Sequence, residues 1–512
     1  MLIKKKEVFL VAAILIAGVF IRFFGLTCLP PGLYPDEAMN TTDGLTTAEA
    51  GGWKLFYENN QGREGLYINI LGYLLHWFGN SLFVVRFLPA LIGSLTLPAI
   101  YWIARRLTGR FGSLAALGLT AFSYWHLNFS RVGFRAILMV LLISWTSAFL
   151  IEGFYRFYKN IPPPSKKSLF STPIGFFAVG GLLLGLSFHT YIAVRIFPAA
   201  IITLWALALI FFSHHWKSLL KYALVTAIFA AVTAAPMALD FLNQPEHFTG
   251  RTGNVSVLKS PNMFFDLGKS IGLTMLSFLF YGDQNWRHNY PYLPLVLPIW
   301  GIALLAGVIG GIFLFLKTLL KKFSGKKIPS KVSWQVVGWC FLISWWIFLL
   351  LPSIMTNEGL PHALRSIGAI PPTFLLVGLA LDRFIKTKKI KLVTVVLLIL
   401  TFSINVFAYF FLWGKTEDAF SAFEYRLSGI GISLRETIIS EQNKNFYIIT
   451  NQDDFRTDVN LPVAVEPIRF YTWQFRDKIK FIVPEDFDIT QIKKPAKIVF
   501  TQDQEEITRQ IQ

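Results

Sequence analysis

The sequence predicts an all-α polytopic membrane bundle of about eleven spans, with surface helices in its first outer loop and a small extracytoplasmic α/β domain at its C-terminus. Three observations predict it. Of 512 residues, 54% are hydrophobic, 16% aromatic and only 15% charged, a balance that excludes an ordinary water-soluble domain. Apolar runs of roughly 18 to 24 residues recur along the chain, each long enough to cross about 30 Å of hydrocarbon as a helix, whereas a barrel would show shorter alternating segments. From Lys415 the composition turns polar, which divides the chain into a membrane domain over 1–414 and a soluble domain over 415–512.

Taken in order, Lys4-Lys5-Lys6 precede the first apolar stretch, 8–26. No small-residue cleavage site follows, so this stretch is expected to stay as a first helix with a cytoplasmic N-terminus. Residues 29–81 then form a long outer loop, in which Pro30, Pro31 and Pro35 hold the segment around Asp36 and Glu37. The tail of that loop, 66–77, is apolar but short and is interrupted by Asn69 and His76. It reads as a helix lying on the membrane surface. The basic clusters test this choice, because short cytoplasmic loops carry an excess of Lys and Arg. With spans at 82–107, 113–128, 136–157, 174–191, 194–212 and 222–239, the clusters at Arg105, Arg106 and Arg110, at Arg156, Lys159, Lys166 and Lys167, and at Lys217 and Lys221 all fall inside. Counting 66–77 as a span would invert every one of them.

A second long outer loop runs from 240 to about 294. Within it, 263–281 is expected to dip into or lie on the outer leaflet, since a crossing would throw Lys317, Lys321, Lys322, Lys326 and Lys327 outside. Spans at 295–316, 336–351, 372–384 (starting somewhat earlier) and 392–412 complete the bundle, with Arg383, Lys386, Lys388, Lys389 and Lys391 marking the last inner loop. The odd count places the C-terminus outside the cytoplasmic (inner) membrane. In the polar tail, 446–450, 480–483 and 497–501 read as buried strands, and 419–439 and 504–511 as helices.

The net charge of +18 follows from this topology and gives no reason to expect nucleic acid. Cys28 and Cys340 lie near opposite ends of the chain, so neither a disulfide nor a metal cluster is expected. No Walker loop, dinucleotide fingerprint, heptad or repeat is present.

The chemistry-bearing residues converge on the outer side: Asp36, Glu37 and Arg63 in the first outer loop, Arg131 and Arg135 in the second, Arg287 and His288 in the fourth, and Arg365 in the fifth. Acids with arginines and a histidine at a water-facing rim suit a site that holds an anionic group and activates a hydroxyl or amine. Arg forks match phosphate oxygens. Outside the membrane no nucleotide sugar is supplied, so glycosyl transfer there draws on a lipid phosphate sugar. It needs one base for the acceptor and cations for the departing phosphate.

Pro35-Asp36-Glu37-Ala38 after the first helix, Glu64-Gly65-Leu66-Tyr67 opening the surface segment, Arg86-Phe87-Leu88-Pro89-Ala90 opening span two, residues 101–106 closing it, and Ser130-Arg131 at the next exit together resemble the GT-C class of glycosyltransferases. The pattern is most similar to the protein O-mannosyltransferase and aminoarabinose-transferase group, glycosyltransferase family 39, in a bacterial branch. Gly282-Asp283 with Arg287-His288-Asn289, and Pro361-His362 with Arg365-Ser366, share the likeness more loosely. The resemblance implies Asp36 as catalytic base, Glu37 as the neighbour that shapes the site, a polyprenyl-phosphate sugar as donor, and inversion at the anomeric carbon. Donor-phosphate binding then falls to Arg63, Arg131, Arg135, Arg287, His288 and Arg365, and the acceptor is a lipid, a glycan or a protein. The resemblance fixes no cofactor and leaves a divalent metal open. Many relatives carry an acid soon after the Ser130-Arg131 position, where this chain has Gly133-Phe134-Arg135-Ala136.

Simpler readings compete. Adjacent acids in a loop usually mean hydration, and Arg131 and Arg135 at a membrane exit equally serve as headgroup anchors. His189 and His362 read as interfacial hydrogen-bonding residues, since no His-x-x-x-His or Cys-x-x-Cys spacing supports a metal. A transporter or flippase is the alternative function, but it would place ionisable residues near mid-membrane and repeat its halves, and neither feature is legible. A scaffold or sensor anchored by the bundle would not need such elaborated outer loops.

Overall fold

The computed structural model describes residues 5–159, 172–254, 256–450, 457 and 461–502. The expected helix at 504–511 lies outside them. In chain order the main elements are α1 (Lys5–Phe23), α2 (Pro35–Glu49), β1 (Phe56–Tyr57), β2 (Arg63–Glu64), α3 (Leu66–Phe78), α4 (Leu82–Leu107), α5 (Arg110–Phe122), α6 (Tyr124–Phe129), α7 (Ala136–Lys159), α8 (Pro173–Ser187), α9 (Phe197–Phe211) and α10 (Trp216–Asn243). They continue as α11 (Pro245–Asn254), α12 (Met263–Leu276), α13 (Pro298–Phe323), α14 (Ser330–Ile354), α15 (Ile370–Phe384), α16 (Lys388–Phe407), α17 (Glu417–Ala422), α18 (Tyr425–Ser440), β3 (Asn445–Ile449), α19 (Glu466–Tyr471), β4 (Ile479–Ile482) and β5 (Ala496–Phe500).

Every stretch expected to cross is helical, and among the described residues eight helices are long and apolar enough to span a membrane. The stretches outside that set are α1, with Lys5, Lys6, Glu7 and Arg22 at its ends, and α5 and α8, with 13 and 15 residues. The stretch 66–77, expected to lie on the membrane surface, is helical as α3, whose 13 residues reach only about 20 Å at 1.5 Å per residue. α12, with 14 residues, is equally short. One expectation is corrected: the segment after Pro35 is no loop but helix α2, with Pro35 in its first turn, where a missing N–H costs nothing.

The chain divides into two compact units. The first comprises Met1–Phe24, Ala90–Ser130 and Arg135–Tyr409. In it α8 packs between α7 and α10, α5 packs on α15, α9 on α14, and α13 on both α14 and α15. Glycines allow close crossings: a Cβ on Gly112 would lie 2.3 Å from the Gly378 carbonyl oxygen, so α5 and α15 meet backbone to backbone. Ile228, Val232 and Leu239 of α10, Ile302, Ile309 and Phe313 of α13, and Leu392, Val396 and Ile399 of α16 are all exposed. Apolar faces this extensive suit lipid, not water.

Basic side chains gather at one end of this unit. Near the N-terminal end of α14, a cavity of about 470 Å³ is lined by Arg105, Arg106, Lys331, Trp334, Arg383 and Lys386, among others. Beyond the C-terminal end of α14, about 37 Å away by its 25 residues, come Glu358, His362 and Arg365. Ionisable groups are also buried within this unit. Arg22 and His126 are both fully buried, with Arg22 Nη2 2.7 Å from His126 Nδ1. Arg22 Nη1 donates to the Gly18 and Ala121 carbonyls at 2.7 and 3.0 Å, which supplies the hydrogen bonds that a buried guanidinium needs.

The second unit comprises Gly25–Pro89, Arg131–Phe134 and Phe410–Gln512. The polar tail therefore shares a compact unit with the first outer loop. The three strands lie where the sequence placed them, in a parallel sheet of order β4-β3-β5. Leu427, Leu434, Ile438, Phe446, Ile448 and Ile468 form a core between the sheet, α18 and α19. α19 also packs against α2.

Candidate active site

The first turn of α2 presents two adjacent carboxylates in contrasting environments. Glu37 is fully buried. Its Oε2 accepts the Tyr34 amide at 3.2 Å, which closes the helix N-terminus from the third helical position. Its Oε1 accepts the Gly133 amide at 2.7 Å and lies 3.6 Å from Nε of Arg86, itself wholly buried. Asp36 is half-buried. Among the described residues, its side-chain hydrogen bond is the one Oδ1 accepts from Asn60 Nδ2 at 3.0 Å. A carboxylate in the first turn of a helix also gains from the positive end of the helix dipole.

Asn60 is held in place by a tight hairpin. β1 and β2 pair Phe56 with Glu64 and Tyr57 with Arg63, and the connecting loop carries positive φ at Asn60 (54°), Gln61 (61°) and Gly62 (90°). Arg63, at 1% exposure, fastens the hairpin to α2. Its Nη1 donates to Asn40 Oδ1 at 2.7 Å, its Nη2 pairs with Asp43, and its Nε donates to the Asn59 carbonyl at 3.2 Å.

Two further arginines hold the loop that leads into α2. Arg86 donates to the carbonyls of Leu26 (3.3 Å), Pro30 (2.7 Å) and Gly32 (2.5 Å). Arg131, fully buried, donates to Gly25 and Leu29 at 3.1 and 2.9 Å and stacks over Phe410. Gly133 completes the cradle, since its carbonyl accepts from Asn40 Nδ2 at 3.1 Å. A Cβ there would stand 3.0 Å from Glu37 Cγ, which explains why glycine occupies the position. On the far side of α2, Thr42 donates to Glu466 at 2.8 Å. Glu466 is fully buried, and burial raises its pKa above the usual carboxylate range despite the pairing with Arg469.

In the first unit, a separate cluster forms where the 282–289 loop meets 358–365. Asp283 Oδ2 accepts the Ala363 amide at 2.7 Å, and Oδ1 accepts the Asn285 amide at 2.8 Å. His288 Nδ1 lies 3.1 Å from Asp283 Oδ2, and the His288 and His362 rings are 4.8 Å apart. Arg287 is half-buried, with Nε donating to Asn285 Oδ1 at 3.0 Å. Arg365 pairs with Glu358 at 3.0 Å, and Arg135, mostly buried, stacks over Tyr191.

Sequence comparison finds no matching family model and no matching curated protein. Solved structures do match. ArnT from Cupriavidus metallidurans in the apo state is similar with a TM-score of 0.55 and 12% identity, over 91% of this chain and 88% of that one. The same protein bound to undecaprenyl phosphate gives 0.51 and 13%, over 94% and 90%. The Archaeoglobus fulgidus oligosaccharyltransferase in its apo form gives 0.53 and 13%, over 91% and 64%. This chain has the GT-C fold. Identities this low speak for the fold and for nothing finer.

On the GT-C scaffold, the second unit gathers Asp36, Glu37, Arg63 and Arg131 around α2, and the first gathers Arg287, His288 and Arg365 beside Asp283 and His362. Sequence reasoning quoted Arg86 only as part of a motif and missed Asn40 and Asn60 entirely. The signal for Arg86 was an arginine at the start of an apolar run, which snorkelling also explains. Nothing in the sequence marked Asn60 as the residue that orients Asp36.

Proposed function

We propose that this GT-C protein is an inverting glycosyltransferase that moves a sugar from a polyprenyl-phosphate donor to an acceptor hydroxyl or amine at the outer face of the membrane, with Asp36 as general base. The observation that carries the reading is the asymmetry of the acid pair. Glu37 is consumed by Tyr34, Gly133 and Arg86, whereas Asp36 is half-exposed and steadied by one neutral amide. Glu37 is therefore a positioning residue. In the reaction, the Asp36 carboxylate takes the acceptor proton as the acceptor oxygen or nitrogen bonds to the anomeric carbon. The bond from that carbon to the phosphate oxygen breaks, and polyprenyl phosphate departs with the electron pair. No general acid is needed, because a phosphate leaves readily as an anion.

Arg287, Arg365 and Arg135 are the cations proposed to bind and stabilise the departing phosphate, with the ring N–H of His288 as a hydrogen-bond donor to it. Arg63, bonded to Asn40 and Asp43, and Arg131, whose Nη2 donates to two backbone carbonyls, act on the reaction by holding α2 and the loop before it. The eleven-span topology, with N-terminus inside and C-terminus outside, belongs to the same reading. The binding of undecaprenyl phosphate by ArnT supports a lipid-phosphate donor here.

The test is reconstitution in liposomes carrying radiolabelled polyprenyl-phosphate hexoses or pentoses and membrane extracts as acceptor. Label moving from the lipid to an acceptor, with polyprenyl phosphate released, is expected. Transbilayer movement of the labelled lipid with no cleavage would favour the flippase reading instead.

A further inference from the structure

We infer that Asp283, His288 and His362 form a binding site for one divalent transition-metal ion, of which Zn²⁺ fits best. Each residue offers one ligand atom, and these atoms all lie within 4.8 Å of one another. Asp283 and His288 are 2% and 6% exposed, and His362 is half-buried. Two imidazoles and a carboxylate match the ligand preference of zinc. Ca²⁺ and Mg²⁺ instead prefer oxygen alone.

The geometry is close to that of a bound site. Bonds of 2.0–2.1 Å in a tetrahedron put neighbouring ligand atoms about 3.3 Å apart, and His288 Nδ1 and Asp283 Oδ2 are already 3.1 Å apart. His362 must close by about 1.5 Å at most, from 4.8 Å to about 3.3 Å. Its Nδ1 lies 3.3 Å from the Arg365 amide, a long contact that gives way if Nε2 becomes the ligand and Nδ1 carries the proton. Three protein ligands leave a fourth position for water or a substrate oxygen, the pattern of an open site.

The surrounding shell is built to hold the carboxylate still. The amides of Ala363 and Asn285 each take one Asp283 oxygen. Asn289 Nδ2 bridges the carbonyls of Asp283 and Leu293 at 3.2 and 2.7 Å, and Trp125 Nε1 donates to the Ala363 carbonyl at 3.1 Å. Metal sites depend on outer contacts of this kind to fix ligand orientation. An ion here would tie the 282–289 loop to the 358–363 loop. The inference rests on this cluster alone and does not require that the protein transfer sugars.

The test uses the full chain in detergent, stripped with chelator, dialysed against micromolar ZnCl₂ and analysed for metal content. Wild type is expected to retain one zinc per chain, and Co²⁺ in its place is expected to show the strong visible absorption of a four-coordinate site. His362→Gln, which removes the ligand at the more exposed edge, and Asp283→Asn are each expected to lower zinc affinity at least tenfold. His189→Gln, distant in sequence and bonded to the Thr233 carbonyl, should leave it unchanged. Zinc should also raise the unfolding temperature of wild type but not of His362→Gln, a comparison that holds even if one variant is less stable. A wild-type chain that comes through dialysis without zinc, or ligand variants that keep full stoichiometry, would overturn the inference.

Discussion

Replacing Glu37 by alanine is predicted to destabilise the second unit far more than the loss of one acid would suggest. The side chain is fully buried and accepts two backbone amides, from Tyr34 and Gly133, while facing the buried Arg86 guanidinium at 3.6 Å. Breaking a buried ion pair costs about 3–5 kcal/mol, and each buried amide left without an acceptor costs about 1–3 kcal/mol. These terms are not additive, because they share one side chain and Arg86 keeps its three carbonyl acceptors. A net loss of about 3–5 kcal/mol is expected. Glu37→Gln keeps an oxygen for the Gly133 amide but offers an NH₂ where the second oxygen stood, so a loss of about 1–3 kcal/mol is expected. The assay is denaturant unfolding of the detergent-solubilised chain, followed by tryptophan fluorescence, with sugar transfer measured in parallel. Alanine and glutamine variants both within about 0.5 kcal/mol of wild type, the range of ordinary surface substitutions, would refute the view of Glu37 as the residue that positions Asp36.

Three other predictions follow from the same geometry. Gly133→Ala should shift Glu37 by a few tenths of an ångström, and transfer should fall about tenfold or more with little change in donor affinity; unchanged turnover would show that the approach of residue 133 to Glu37 is not critical. Burial raises the Glu466 pKa, so the folded state binds this proton more tightly than the unfolded one. Stability should therefore fall as pH rises from about 4.5 through the raised value, and Glu466→Gln should flatten that slope in melting curves between pH 4 and 8. Single cysteines at the exposed positions Glu58 and Gln284 should react with a membrane-impermeant thiol reagent from one side of sealed vesicles, and a cysteine at the exposed Lys326 from the other; labelling of all three from one side would break the topology.

The parts of the fold that hydropathy and charge control were legible. Long apolar runs became helices and the basic clusters separated short spans, because insertion into lipid leaves few alternatives. The strands β3, β4 and β5 were legible as β-branched runs between turns. α2 was not, since Pro35–Glu49 has no apolar stripe: most of its residues are small or polar, and packing against α3 and α19 orders it. The candidate base was found through its motif. Its supports were not, because Asn60 acts through a turn of three positive φ angles, and Arg86 acts through carbonyls more than fifty residues away in the chain. The Asp283, His288 and His362 cluster has no ligand spacing to read, since its members come from two loops joined only by the fold.

The most direct measurement of the central claim is the transfer rate of Asp36→Asn in proteoliposomes, with its insertion and unfolding checked against wild type. The exchange keeps size and leaves an oxygen for Asn60, so the fold should stand while transfer falls by about 10² to 10⁴-fold, the usual contribution of a general base. A folded Asp36→Asn protein that transfers sugar at the wild-type rate would contradict the account.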